Sequence, residues 1–322
     1  MKKLSFGVLS TAKIGREKVI PAIQNSERCV VDAIASRKED RAAEVARELG
    51  IERSHGSYEA LLQDENIDAV YIPLPNHMHV EWSIKALEAG KHVLCEKPIG
   101  LNADDARKLK EESEKYPDLK VMEAFMYRHH PRWKRVVEIV RSGLIGDIKA
   151  VHSFFAFYNE DPENYRNKPE MGGGALMDVG CYSISAARLI FGSEPDVVKG
   201  HSHIDPGFKT DQLTSGLMSF GSGTSVFSCS TQTHADQYLK IYGTKGKIEL
   251  DKPFNPDESS RAAIKIVKGD EESEETFEAC NQFSIQADNF AAYVWGETEA
   301  PISLDDSIAN MEAIDLTRGN GY

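Results

Sequence analysis

Short apolar runs alternate with amphipathic stretches over roughly the first 125 residues, the rhythm that βαβ units make around a parallel sheet. Leu4–Leu9 reads as a strand, and Ala12–Gln24 as a helix that Pro21 should kink, because proline brings no N–H to the helical ladder. Cys29–Ala35 is a second strand. Helix Glu39–Leu49 is stopped by Gly50, Ser57–Gln63 is a short helix, and strand Ala69–Pro73 leads to helix Val80–Ala89, ended by Gly90. Strand His92–Cys95 precedes a helix from Ala103, with Asn102 as its N-cap and Asp104 and Asp105 suited to its positive end. Val121–Phe125 closes the series.

After Pro131 the texture changes. Helix Trp133–Ser142 leads into strand Ile148–Tyr158, and helix Leu176–Phe191 follows. Extended runs then succeed one another: Val197–His203, Leu213–Phe220, Ser225–Thr231, Tyr238–Tyr242, Lys247–Leu250 and Ala263–Val267. Gly-containing turns join several of them, which predicts a mainly antiparallel sheet. The acidic stretch Asp270–Glu275 reads as a solvated loop. The expected architecture is an α/β Rossmann-type domain over residues 1–126, then an α+β domain with a large, mainly antiparallel open sheet over 127–322.

Composition narrows the picture. At 322 residues, 41% hydrophobic and 28% charged, the chain can bury a sizeable core. A net charge of −13 with no basic stripe argues against nucleic acid. Five scattered cysteines without a C-x-x-C pair fit a reducing compartment and no zinc site, so the expected address is cytoplasmic. Met1–Leu9 is better read as a strand than as a signal peptide. No apolar run approaches the ~18 residues of a membrane span.

The first strand–helix junction carries Ser10, Ala12 and Gly15 where a dinucleotide fingerprint has its glycines, which let the backbone approach a pyrophosphate at a helix N-terminus. The motif is degenerate, but it heads a long βαβ series. At the end of the second strand, NAD enzymes place a carboxylate for the ribose 2′-hydroxyl. This chain has Ser36-Arg37-Lys38, which suits a 2′-phosphate and so NADP, with NAD as the alternative. The plainer reading is that Ser36 caps a helix while the two cations are solvated.

Three more segments converge. Tyr71-Ile72-Pro73-Leu74-Pro75-Asn76-His77-Met78-His79 follows one strand, Cys95-Glu96-Lys97-Pro98 follows the next, and Gly172-Gly173-Gly174-Ala175-Leu176-Met177-Asp178-Val179-Gly180-Cys181-Tyr182 opens the long helix. With the N-terminal junction, this set resembles the glucose–fructose oxidoreductase / inositol dehydrogenase (Gfo/Idh/MocA) family, and within it the dihydrodiol and sugar dehydrogenase branch. The inositol dehydrogenase branch has histidine where Tyr182 stands. The resemblance implies a cis peptide at Lys97–Pro98. It also implies a cofactor lying against Ser10, Thr11, Ala12, Ile14, Ser36, Arg37, Pro73, Leu74, Asn76, His79, Glu96 and Lys97, and a homodimer or homotetramer built through the second-domain sheet.

The residues themselves agree. Lys97 leaves the carboxyl end of a parallel strand, where α/β proteins bind ligands. Asp178 and Tyr182 are four apart on a helix and so share a face, with Cys181 and Ser185 beside them. The glycines before them allow that helix start to pack closely on a neighbour or cofactor. The expected chemistry is hydride transfer between nicotinamide and a sugar, cyclitol or cyclic diol. Lys97, Tyr182 and Asp178 are the expected catalytic residues, and either of the first two could carry the proton. Arg128 could bind substrate or pair internally, and Tyr158 and Arg166 are cleft candidates by position alone. His129 and His130 lack the carboxylate–His spacing of a metal site. The competing function is a cofactor-binding regulator of the same fold, which needs no proton-transfer pair; a structural assembly protein has no use for Lys-Pro at a strand end.

Overall fold

The computed structural model describes residues 3–319; Met1, Lys2 and the terminal Asn320-Gly321-Tyr322 lie outside that range. Two compact units emerge. One runs from the N-terminus to His129 and takes in Asn281–Ile308; the other comprises His130–Cys280 and the segment from Ala309 onward. A single cut between 126 and 127 therefore misses a returning segment. Its helix buries Phe283, Ala287, Phe290 and Ala291, and the Phe290 ring lies 5.8 Å from that of Phe6.

In the first unit, β1 (Leu4–Leu9), β2 (Cys29–Ala35), β3 (Arg53–His55), β4 (Ala69–Ile72), β5 (His92–Cys95) and β6 (Val121–Glu123) form one parallel sheet in the order β3-β2-β1-β4-β5-β6. The order reverses between β1 and β4, the switch point where such sheets bind nucleotides. Helices α1 (Ile20–Gln24), α2 (Glu39–Leu49), α3 (Tyr58–Leu62), α4 (His79–Glu88) and α5 (Ala103–Ser113) link the strands. Both faces are covered, so β1 and β4 are buried at every position and read as continuous apolar runs. Ser57 and Asn102 cap α3 and α5 through their side chains.

Pro21 does not simply kink the first helix. A π turn over Gly15–Val19 precedes α1, and the Ile20 N–H reaches back to the Gly15 carbonyl. Widening the turn ahead of the proline accommodates the N–H that Pro21 lacks.

In the second unit, helix α6 (Pro131–Arg141) precedes β7 (Ile148–Tyr158), and α7 (Cys181–Phe191) follows a π turn over Leu176–Gly180. Strands β8 (Val197–Ile204), β9 (Asp211–Phe220), β10 (Gly223–Ser230), β11 (Gln232–Gly243), β12 (Lys247–Asp251), β13 (Ala262–Lys268) and β14 (Glu271–Phe277) complete an eight-stranded sheet. Its order is β14-β13-β12-β11-β7-β10-β9-β8, antiparallel except for the β7–β10 pair. The acidic stretch expected to be a loop is thus β14, an edge strand paired with β13, where Lys265 meets Glu272 at 2.7 Å. Carboxylates pointing to solvent hid a strand that needs only one partner.

Along β7, Val151, Ser153 and Phe155 are buried, and Ser153 hydrogen-bonds Ser183 of α7 at 2.8 Å. The opposite face leaves Leu217, Val226 and Tyr238 between 36% and 40% exposed. By composition the helical run Pro169–Phe191 is long and apolar enough to cross a membrane, contrary to expectation, yet 89% of its apolar window is buried inside the protein. It is a core helix. The last two helices are α8 (Gln282–Val294), which the sequence reading missed, and α9 (Leu304–Gly319).

Candidate active site

At the end of β1, Ser10 has φ 133°, a backbone conformation natural to glycine and strained for serine. Its hydroxyl accepts the Ala12 N–H at 2.9 Å, and Arg16 Nε donates to the Thr11 carbonyl at 3.1 Å. The turn therefore keeps the shape that the fingerprint glycine would give. Ile14 is 37% exposed on the helix start, an apolar side chain open to a ligand. A Cβ on Gly15 would meet Pro73, Tyr71 and Val8 no closer than 3.6 Å, so ordinary packing follows there.

At the end of β2, Ser36 is buried and bonded through its N–H to the His55 carbonyl, while Arg37 and Lys38 are exposed. Burial raises the Tyr58 pKa, and the positive charge of nearby Arg37 opposes that rise. Helix N-terminus, backbone turn and exposed cations together fit a dinucleotide with a 2′-phosphate.

Lys97, half-buried, opens the turn after β5, and the Lys97–Pro98 peptide is cis. Neighbouring side chains hold this turn residue by residue. Glu96 accepts the Tyr71 hydroxyl at 2.7 Å and the Lys97 N–H at 3.3 Å. The ring of His79, fully buried, stands 2.7 Å from both the Pro98 and the Leu74 carbonyls. Burial pushes its pKa down to about 4, so the neutral ring donates to one carbonyl and packing holds the other close. His79 was expected to touch the cofactor; with both nitrogens facing main chain, it instead ties the β4–α4 loop to the lysine turn. Asn76 is buried in that same loop.

Glu123, which sequence reasoning missed, accepts the Ile99 N–H at 2.8 Å. Burial drives its pKa up to about 7, against Ser307, Ile99 and Arg128, while Asp306 adds to the rise. A lone carboxylate inside the apolar strand at Val121 was the available signal.

In the second unit, Asp178 lies within the π turn and Tyr182 in the first turn of α7; both are 4% exposed. Arg166 Nε donates to Asp178 Oδ2 at 2.6 Å, and the Tyr165 hydroxyl approaches Oδ1 at 3.5 Å. Burial works against the Arg166 charge, but Asp178, with Tyr165 and Tyr182, outweighs it and raises its pKa. The Tyr182 ring packs on Phe155 and Phe254, at 5.6 and 5.3 Å. The motif glycines serve this packing. A Cβ on Gly173 would overlap the carbonyls of Arg166 and Tyr165, and one on Gly180 would come 2.8 Å from Cys229 Sγ. The close neighbours of the glycine run are thus the Arg166 turn, against Gly173, and the Asp211 carboxylate, against Gly174.

The remaining candidates lie elsewhere, apart from Arg128, whose charge also acts on Glu123. Arg128 forms an ion pair with Asp306 within the first unit. His129 Nδ1 meets Asn289 at 2.9 Å. His130 caps α6 through Nδ1 and touches Cys280 at 3.4 Å. Tyr158 is 63% exposed at the end of β7.

Known proteins match both units. The family model described as "Oxidoreductase family, NAD-binding Rossmann fold" matches residues 4–125, and the GFO/IDH/MocA C-terminal domain model matches residues 133–249. An NADP(+)-dependent D-xylose 1-dehydrogenase from Haloferax volcanii is 41% identical over 315 residues, 97% of this chain and 95% of that one. An uncharacterised oxidoreductase of Rhizobium meliloti is 40% identical over 320 residues, 98% of this chain and 96% of its own. The 3-ketoreductase KijD10 of Actinomadura kijaniata, solved with NADP and TDP-benzene, superposes with a TM-score of 0.93 at 28% identity, covering 99% of this chain and 98% of that one. KijD10 has also been solved with a lysine changed to alanine and with a tyrosine changed to phenylalanine.

Gly173→Ala is expected to cost roughly 1–3 kcal/mol of stability through overpacking on a main-chain carbonyl, read by denaturant unfolding. Glu123 makes a pH-dependent contribution. Its folded pKa lies above the ordinary 4.5, so the folded state binds the extra proton and stability falls as pH rises from 4.5 to about 7. Glu123→Gln keeps an acceptor for Ile99 and should raise stability at pH 8 by roughly 1–3 kcal/mol while changing it little at pH 4. An unchanged pH slope in the variant would place the titrating group elsewhere.

Proposed function

Because this chain belongs to the GFO/IDH/MocA oxidoreductase family, we propose that it moves a hydride between NADP(H) and a carbinol or carbonyl carbon of a sugar, with Lys97 and Tyr182 as the proton-transfer pair. The chain is an NAD(P)-dependent oxidoreductase with a Rossmann-type nucleotide domain. The single observation that carries the finer reading is the construction around Lys97: the buried His79 and Glu123, together with the half-buried Glu96, hold the main chain of its turn at the carboxyl end of β5. A surface lysine needs no such support.

Ser10 to Ile14 and the following helix start would hold the pyrophosphate, and Ser36 and Arg37 the 2′-phosphate. When bound, the nicotinamide supplies or accepts the hydride. The protein's own part is proton handling. Tyr182 exchanges the proton of the substrate hydroxyl, the Lys97 ammonium stabilises the oxygen that loses it, and Asp178 orients the site. A sugar is supported by the xylose dehydrogenase and by the keto-sugar reductase among the relatives, and the proton pair by the lysine and tyrosine altered in KijD10, which lie at nearly the same separation along that chain. All five cysteines are free, which supports a reducing compartment, the cytoplasm. The apolar sheet face around Leu217, Val226 and Tyr238 supports association of two copies into a dimer, or of dimers into a tetramer.

Lys97→Ala and Tyr182→Phe are expected to lower kcat by about 10²–10⁴-fold while the Kd for NADPH, read by fluorescence titration, changes only a few-fold. NADPH binding without turnover on any aldose or keto-sugar would favour a sensor instead. Leu217→Asp should convert the protein to monomers in light scattering; an unchanged mass would move the interface elsewhere.

A further inference from the structure

A phenol holds its proton tightly in water, so the environment of Tyr182 has to change that. We propose that Arg166 is a positioning residue for Tyr182: anchored by Asp178, it keeps a permanent positive charge beside the phenol within the same unit. The inference rests on the assignment of Tyr182 as the acid–base group.

Arg166 is fixed from both ends. Its carbonyl accepts the Gly174 N–H at 2.8 Å, and the glycine at 173 lets that turn sit against the helix start. Its guanidinium bonds Asp178 at 2.6 Å and lies over the rings of Tyr165 and Phe157 at 4.6 and 5.7 Å. Its attraction to Tyr182 is one of the forces holding it charged.

The groups around Tyr182 can be named element by element. Asp178 comes from its own helical run, Arg166 and Tyr165 from the preceding turn, Phe155 from β7 and Phe254 from beyond β12. Arg132 of α6 donates to the carbonyls of Asp251, Lys252 and Pro253, backing the turn that carries Phe254. Behind the helix, β10 brings Cys229, and β9 brings Asp211, which accepts the Leu176 N–H. Tyr182 is thus bordered by aromatic rings, which exclude water and screen a nearby charge poorly. Arg166 and Asp178 act on it with opposite signs. A cation favours the phenolate; a carboxylate disfavours it.

That opposition supplies the test. Ultraviolet difference titration of tyrosinate, each protein against the same protein carrying Tyr182→Phe, isolates Tyr182 with no substrate present. The Tyr182 midpoint should rise by about one pH unit or more in Arg166→Gln, fall in Asp178→Asn, and stay near the parent value in Arg166→Lys, which keeps the charge. The limb of the kcat/KM–pH profile due to Tyr182 should move in the same directions. A folded Arg166→Gln with an unshifted midpoint overturns the proposal; should that variant fail to fold, Arg166→Met, which keeps an apolar stem over Tyr165 and Phe157 without the charge, is read in the same way, and an unshifted midpoint there overturns it. If the midpoints move as expected but Tyr182→Phe retains full turnover, the assignment of Tyr182 to proton transfer fails, and the electrostatic role of Arg166 stands.

Discussion

Three side chains hold the main chain after β5 at successive residues: the half-buried Glu96 at the Lys97 amide, and the buried His79 and Glu123 at the Pro98 carbonyl and the Ile99 amide. Each is a polar group, and two of them, His79 and Glu123, are taken out of water, which is costly unless their bonds are made. Each also belongs to a different element, so the β4–α4 loop, the end of β5 and the end of β6 settle into one arrangement. The lysine is delivered by that arrangement. Because Leu74 and Pro98 share the same imidazole, the loop near the dinucleotide turn and the turn bearing Lys97 are held as one piece.

The second unit solves a similar problem with different means. There the main chain is brought close by omitting side chains: glycine at 173 lets the Arg166 turn sit on the helix start, and glycine at 180 lets the helix sit on β10. The guanidinium then reaches Asp178, and the phenol one turn on is packed by Phe155 and Phe254. Glycines in the motif and charges in the site are parts of one construction. Both helices that open the candidate sites begin with a π turn, over Gly15–Val19 and Leu176–Gly180, a local widening often found at functional positions.

Much of this was legible in the residues. Parallel strands buried on both faces announce themselves as apolar runs, and caps such as Asn102 mark helix starts within a residue. The strand-end positions of Lys97 and Arg37 followed from the βαβ rhythm. What escaped depends on contacts distant along the chain. Asn281, Phe283, Ala287 and Phe290 carry the cap and spacing of an amphipathic helix, yet nothing local says that it returns to cover Phe6. Glu123 looks like an interruption in a strand until Ile99 supplies its partner. His79 sits in a motif, but only the fold reveals that its two nitrogens face carbonyls rather than solvent.

The acidic composition of β14 bears on how the large sheet behaves in a crowded solution. An outermost strand displays unsatisfied amide and carbonyl groups along its rim, and any extended peptide can extend the ladder there. Glu271, Glu272, Glu274 and Glu275 line this rim. A second copy approaching edge to edge would bring like carboxylates together, their repulsion reduced where Lys265 pairs with Glu272 and Arg135 with Glu275. Strand-by-strand growth into fibrils is thereby opposed on that side.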